Sequence, residues 1–111
     1  MITEIAYITI DPAQADAFEA AVARAEPAFR AAEGCHGVTL ERVIEEPGQY
    51  RLLVVWDSVD HHMVKFRESP AFQLWRAQAG PFFVGLPRVE HSETALRLSF
   101  PPTSDPARGS D

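Results

Sequence analysis

Apolar residues recur with a period of two from Ile2 to Ile10, and β-branched residues are frequent in this segment. A period of two is typical of a β-strand that buries one face. Asp11 then offers a side-chain acceptor for free backbone N–H groups, and Pro12 suits the first position of a helix. These features predict a first strand that is followed at once by a helix.

The predicted helix carries one apolar stripe, because its apolar residues are spaced three or four positions apart. The stripe consists of Phe18, Val22, Ala25, Phe29 and Ala32. Pro27 removes a backbone donor and crowds the preceding turn, so we expect a bend there, and Gly34 is a suitable C-terminal stop. The stripe predicts that the helix packs on a sheet.

A β-hairpin follows the helix. A strand is predicted over residues 37–45, with alternating apolar positions at Val38, Leu40 and Ile44. Pro47 and Gly48 then signal a turn. The partner strand, Tyr50 to Trp56, is apolar at adjacent positions, which requires cover on both of its faces. The helices cover one face only, so the pattern predicts a homodimer in which a second subunit covers the other.

Two short helices and a final strand complete the pattern. Asp57 and Ser58 can cap the first of these helices, and Ser69-Pro70 begins the second, which ends at Gly80-Pro81. Their apolar positions are, in order, Val59, Met63, Phe66, Ala71, Phe72, Leu74 and Trp75. Strand-like character returns over residues 87–98.

The order of these elements is βαββαβ, which divides the chain into two similar halves. With right-handed crossovers and one antiparallel sheet, this order produces the ferredoxin-like layout of an α+β domain. We therefore predict one domain over residues 1–98. Pro, Ser, Gly and Asp dominate from Ser99 onward, which predicts a disordered tail over residues 99–111 that can be deleted with little loss of stability.

Length and charge limit the classes of function. A chain of 111 residues supports one domain, and it contains no apolar run long enough to span a bilayer. The net charge of −6 and the scattered Arg residues disfavour nucleic-acid binding, which requires a basic face. The first residues lack the features of a signal peptide, so we expect a cytoplasmic protein whose partners are small molecules.

Four stretches of the sequence carry a family resemblance. They are Tyr50 to His62, Phe66 to Arg76, Gly80 to Phe83 and Val89 to His91. A tryptophan ends the third strand, a polar pair begins the next helix, and a Ser-x-x-Phe step opens the one after it. In these features the chain resembles the antibiotic biosynthesis monooxygenase family over residues 1–95.

The resemblance implies a dimeric α/β barrel. The family includes cofactor-independent oxygenases that convert electron-rich phenols to quinones, haem-degrading enzymes, and members with no assigned reaction. The chain departs from the family pattern in two ways. It contains no Asn, although several members use a pocket Asn, and Arg76 stands at about the position of the axial histidine of the haem-degrading branch. Arginine does not ligate haem iron, so the haem branch is disfavoured.

Oxygenation without metal or flavin requires a substrate that can itself reduce oxygen after it has lost a proton in a water-poor pocket. His62 and His91 have an acidity suited to the base that removes this proton. The candidate substrate-binding residues are Trp56, Phe66, Phe72, Trp75, Phe83 and Arg51, with Arg76 and Arg88 as alternative partners for an anion.

Each candidate also has a purely structural interpretation. His61 and His62 are adjacent, so on a helix they point about 100° apart and at most one faces the pocket. The aromatic residues after Phe66 lie at helical spacing, where core packing is the more frequent role. The chain has no His-x3-His spacing, and Cys35 is its only cysteine, so we predict no bound metal and no cofactor.

Three functions therefore stay open at this stage. The first is a cofactor-independent monooxygenase that oxidises a hydroxylated aromatic or similar small hydrophobic substrate. The second is a non-catalytic dimer that binds such a molecule, and the third is a haem-binding or haem-degrading protein. Fold alone does not rank them, because one scaffold hosts several chemistries.

Overall fold

The computed structural model of the protein describes residues 1–102. Its strands are β1 (Ile2–Thr9), β2 (Cys35–Arg42), β3 (Gln49–Trp56) and β4 (Arg88–Ser92). Its α-helices are α1 (Ala15–Arg24), α2 (Glu26–Arg30) and α3 (Pro70–Ala79). Shorter helical segments are the π-helix His61–Phe66 and the 3₁₀ turns Pro12–Gln14 and Gly80–Phe82.

The four strands form one antiparallel sheet in the order β2-β3-β1-β4. With two helical crossovers, this is the ferredoxin-like arrangement, so the predicted α+β class and fold are confirmed. The central strands pair along their full length, from Ile2 opposite Trp56 to Thr9 opposite Gln49. The end of β3 therefore lies beside the start of β1.

The helices pack on one face of this sheet, because side chains alternate across each strand. Ala6 and Ile8 of β1 and Leu52 and Val54 of β3 point toward them, and none of the four is more than 5% exposed. The helical residues that complete this core include Phe18, Ala25, Phe29, Phe66 and Trp75.

The opposite face of the sheet has an apolar centre of its own. Ile5 of β1 pairs directly with Leu53 of β3, and Val55 lies two residues farther along β3 on the same side. All three side chains are half-buried in the single chain. The two-sided apolar character of β3 is therefore real, since Leu52 and Val54 point the other way.

The predicted bend at Pro27 is a complete break between two helices. Helix α1 ends at Arg24, and α2 begins at Glu26 with Pro27 in its first turn. Proline has no N–H to donate to the carbonyl group four residues earlier, so one continuous helix would lose a backbone hydrogen bond here. Ala25 and Ala28 still face the core, as the apolar stripe predicts.

The helix predicted after Asp57 has a different geometry, because it is a π-helix. The Arg67 N–H lies 3.3 Å from the carbonyl oxygen of His62, five residues earlier, so each turn is wider than in an α-helix. The wider turn changes which residues face inward. His62 and Phe66 are buried. Of the three apolar positions predicted for this segment, Phe66 is therefore confirmed, whereas Val59 and Met63 are 41% and 38% exposed.

Two strands are shorter than predicted. Strand β4 ends at Ser92, which pairs with Thr3, the second residue of β1. Beyond this pair β1 has almost no residues left with which β4 could pair. Leu98, predicted to belong to β4, is 72% exposed. Strand β2 ends at Arg42, opposite Tyr50, and the following turn leaves Ile44 90% exposed.

The predicted tail lies largely outside the described residues. Residues 99–102 are exposed and belong to no helix or strand, and residues 103–111 are not described. The predicted disorder of this segment and the domain boundary at residue 98 therefore stay predictions. Within residues 1–102, no helix is both long and apolar enough to cross a membrane.

Candidate active site

A cavity of about 330 Å³ lies between the sheet and the helices that follow β3. Its size is at the lower end of the range of small-molecule sites. The sheet contributes its floor through Glu4, Ala6, Ile8, Leu52 and Val89. The other side is formed mainly by the π-helix, α3 and the segment before β4.

The cavity wall is aromatic, and it contains most of the residues predicted to bind substrate. Phe66, Phe72, Trp75, Phe83 and His62 all line it. The ring of Phe66 lies 5.4 Å from that of Phe72 in an edge-to-face arrangement. The rings of Trp75 and Phe83 are 6.3 Å apart. These side chains pack in or against the core and also line the cavity, so their core role is confirmed and their role in binding substrate stays a prediction.

A buried polar cluster is built into the floor of this cavity. Glu4 Oε1 accepts a hydrogen bond of 2.9 Å from Trp56 Nε1 and lies 3.3 Å from His62 Nε2. The other ring nitrogen of His62, Nδ1, lies 2.9 Å from His91 Nε2. The side chains of Glu4 and His62 are only 8% and 4% exposed. Three titratable groups thus form a continuous chain away from the cavity.

The sheet register explains how this cluster assembles. Glu4 of β1 is paired directly with His91 of β4, so their side chains are neighbours on the same face. Trp56 ends β3 beside the start of β1. The π-helix then places the His62 ring 5.6 Å from the Trp56 ring in a stacked arrangement.

Burial favours the neutral forms of Glu4 and His62, the two inner members of the cluster. Loss of solvent raises the pKa of Glu4 from 4.5 to about 7, although the Trp56 N–H and the charge of Arg67 oppose this rise. Loss of solvent, with smaller contributions from His91 and Arg67, lowers the pKa of His62 from 6.5 to about 4. Between these two values the pair is an uncharged carboxyl group beside an uncharged imidazole, not an ion pair.

Three predicted site residues do not line the cavity, and they are Trp56, Arg51 and His91. Trp56 is fully buried behind His62, so it contacts the cluster and is not a wall for substrate. Arg51 is on the opposite face of the sheet, where its guanidinium lies 5.2 Å from the centre of the Tyr7 ring. The strand alternation that points Leu52 toward the cavity necessarily points Arg51 away from it.

The other predicted candidates divide between the cavity and the surface. Arg76, like Arg67, lines the cavity, whereas Arg88 lies 4.0 Å from the Tyr7 ring on the opposite face. Of the adjacent histidines, only His62 lines the cavity. His61 bonds Ser58 at 2.7 Å, as expected if one histidine faces inward.

Glu4 was missing from the predicted site, although the sequence contains a signal for it. The alternation of β1 requires an inward side chain at position 4, between Ile2 and Ala6. A carboxylate at such a position is buried, and buried ionisable groups with shifted acidity cluster at functional sites. Within residues 1–102, no group of three His, Cys, Asp or Glu side chains is arranged to hold a metal ion.

Comparisons with known proteins identify relatives of the chain. The family model described as antibiotic biosynthesis monooxygenase matches residues 1–78. The uncharacterized protein YczJ of Bacillus subtilis is 33% identical over 91 residues, which cover 82% of this chain and 96% of YczJ.

Solved structures extend the comparison to the fold. A protein from Bordetella bronchiseptica that is described as a candidate antibiotic biosynthesis monooxygenase is 49% identical, with a TM-score of 0.83 over 86% of this chain and 97% of that one. SnoaB from Streptomyces nogalater, a cofactor-independent oxygenase, is 23% identical, with a TM-score of 0.62 over 91% of this chain and 97% of SnoaB. At that identity, the likeness to SnoaB shows a shared fold alone.

Proposed function

The chain belongs to the antibiotic biosynthesis monooxygenase family, and from this premise we propose that it is a monooxygenase of small hydroxylated aromatic compounds. The substrate site is the cavity between the sheet and α3. One observation carries the proposal: an aromatic wall and a buried carboxyl–imidazole pair meet in the same cavity. The wall suits a flat ring, and the pair suits removal of a proton from it.

The chemistry required of the protein is limited in this proposal. A phenolate or enolate can reduce oxygen directly, so the protein has to bind the ring, remove a proton and exclude water. No cofactor is included, and the description of SnoaB as a cofactor-independent oxygenase supports that choice. Arg67 and Arg76 on the cavity lining add positive charge, which favours an anionic form of the substrate.

The proposed assembly is a homodimer. Ile5, Leu53 and Val55 form the apolar centre of the sheet face that points away from the helices. An antiparallel sheet that is apolar on both faces requires cover on both. A second copy of the chain, with its sheet packed against this one, supplies that cover.

The direct test uses 1-naphthol, molecular oxygen and protein from which metal has been removed by chelation. The expected reaction converts one naphthol and one O₂ to one naphthoquinone and one water. Heavy-isotope O₂ should place one labelled atom in the quinone. Binding of naphthol without oxygen uptake would instead support the non-catalytic binding protein, and a Soret band on titration with haemin would support the haem-binding alternative.

A pair of variants tests whether this cavity is the site. Val89→Trp narrows the cavity from the β4 side, so it should weaken naphthol binding and reduce turnover at least tenfold. Val84→Trp makes the same change at a residue that is 61% exposed and does not line the cavity. Equal losses in the two variants, or no loss in either, would contradict the assignment.

A further inference from the structure

We propose that Glu4 is the catalytic base that accepts the substrate's proton, and that His62 and His91 form the path by which this proton reaches solvent. The inference rests on the proposed function and deepens it. It reassigns the base, because the sequence predicts that role for His62 or His91.

The contacts of His62 are the first argument. Both of its ring nitrogens are engaged, Nε2 with Glu4 at 3.3 Å and Nδ1 with His91 at 2.9 Å. A neutral imidazole has one donor and one acceptor nitrogen, so no lone pair is left for a ligand. His91 does not line the cavity at all. The histidines are therefore placed to pass a proton between neighbours.

The contacts of Glu4 are the second argument. Trp56 and His62 both contact the same carboxyl oxygen, Oε1. Within residues 1–102, no side-chain N or O atom is fully buried without a hydrogen-bond partner. Oε2 therefore retains access to the cavity that Glu4 lines, and it can accept a hydrogen bond from a substrate hydroxyl.

The groups that surround Glu4 set its basicity. It faces Trp56 of β3, His62 of the π-helix and His91 of β4, and it is within electrostatic range of Arg67 and of Cys35 on β2. Arg67 is the arginine of this set, and its guanidinium carries a permanent positive charge. Burial dominates and raises the pKa of Glu4 to about 7, a value suited to proton exchange at neutral pH.

The path can carry a proton in one direction and then reset. While Glu4 is ionised, His91 Nε2–H donates to His62 Nδ1, and His62 Nε2–H donates to Glu4 Oε1. After Glu4 has taken the substrate's proton, both histidines first change to their Nδ1–H tautomers, because Nε2 of His62 accepts a proton only when it carries none. Glu4 then passes its proton to His62 Nε2, His62 passes its Nδ1 proton to His91 Nε2, and His91 passes its Nδ1 proton to water. These transfers leave Glu4 ionised and both histidines again as Nε2–H tautomers. His91 is half-buried, so its outer side is nearer to solvent.

Anaerobic binding of 1-naphthol tests the role of Glu4 without any turnover. A hydroxyl donor binds an ionised carboxylate more strongly than a neutral acid. The affinity of wild-type protein should therefore rise about tenfold from about pH 6 to about pH 8. Glu4→Gln should show no such rise. Glu93→Gln, the same change at an exposed residue after β4, should behave like wild type.

Turnover and infrared measurements complete the test of Glu4. Glu4→Gln should lower kcat by roughly 10²–10⁴-fold, whereas Glu93→Gln should not. If Glu4→Gln fails to fold, infrared difference spectra of wild-type protein near pH 7 replace it: naphthol should reduce the band of a protonated carboxyl group. An unchanged band, or equal pH dependence of binding in Glu4→Gln and wild type, would overturn the proposal.

A histidine substitution tests the proton path separately. His91→Ala should keep the pH-dependent binding of naphthol but lose about tenfold in turnover, and added imidazole should restore the loss. His36→Ala, at an exposed histidine paired with Asp57, should show neither effect. Loss without rescue by imidazole would overturn the path. Normal pH-dependent binding with no oxygen uptake in wild type would contradict the monooxygenase function and leave the assignment of the Glu4 hydrogen bond in place.

Discussion

Glu4 is a carboxylate at a strand position where the alternation calls for an apolar side chain. Its burial costs free energy whenever it is ionised, because the protein interior solvates a charge poorly. The hydrogen bond from Trp56 recovers part of that cost. A residue retained at such a cost is a candidate for function, and its protonation should be visible in the stability of the protein.

The stability of the protein should depend on pH through Glu4. Its pKa is about 7 in the folded state and 4.5 when unfolded, so the folded state holds the extra proton between these values. Raising the pH through this range therefore favours unfolding, by about 3 kcal/mol relative to Glu4→Gln. Urea denaturation at several pH values measures the difference. The titration of His62 affects the free energy of unfolding of both proteins, so it cancels in their difference. The same pH dependence of the free energy of unfolding in wild type and Glu4→Gln would contradict the expectation.

Trp56 should act through Glu4, since it does not line the cavity. Trp56→Phe removes the N–H that stabilises the Glu4 carboxylate, so the Glu4 pKa should rise further and the midpoint of the pH–rate profile should move to higher pH. The stability loss above that pH should be about 1–3 kcal/mol. Trp75→Phe also removes an indole N–H from the cavity lining, but the indole that donates to Glu4 is that of Trp56, so the midpoint should stay in place.

At the scale of elements, the π-helix places the His62 side chain against the sheet. Its wider turn buries His62 and Phe66 together, and Gly34 makes room for it at the end of the α2–β2 connection. Gly34 has a φ of +79°, and a Cβ there would lie 2.5 Å from Cδ2 of His61. A side chain at position 34 would therefore strain the backbone and collide with the ring of His61.

Gly34→Ala should lower the free energy of unfolding by about 1–3 kcal/mol, because the left-handed conformation is strained for alanine and the His61 ring must move. Gly37→Ala is the matched control, since its added Cβ would meet no atom within 4 Å. Chemical denaturation compares the two. A similar loss in both variants would show that strand propensity, and not the contact with His61, is responsible.

At the scale of the whole molecule, the face of the sheet that carries Leu53 determines the assembly. A charge there would be buried in the proposed dimer interface without a partner, which costs several kcal/mol. Leu53→Asp should therefore dissociate or unfold the dimer in sedimentation velocity. Val59→Asp, at a residue that is 41% exposed and lies between β3 and the π-helix, should leave the assembly intact. A wild-type monomer at micromolar concentration would contradict the proposed homodimer.

Elements with a strong local signal were predicted best. Strands β1 and β3 and the cap of α3 at Ser69 follow from local pattern alone, and the structure places them within a residue or two of the prediction. Strand β4 was predicted too long because its limit is set by its partner, β1, and not by its own residues. The π-helix was missed because a three-to-four residue spacing does not distinguish it from an α-helix.

The sequence by itself determined the period of each element, the element order and the aromatic character of the segment that became the cavity wall. Only the tertiary structure decided which side chains meet. Glu4 and His91 are far apart along the chain and become neighbours through the pairing of β1 with β4. The alternation of side chains along β3 places Arg51 on the face of the sheet opposite the cavity. Local propensity acts over a few residues, whereas register and burial depend on the whole sheet, so acidity and site membership emerge only after folding.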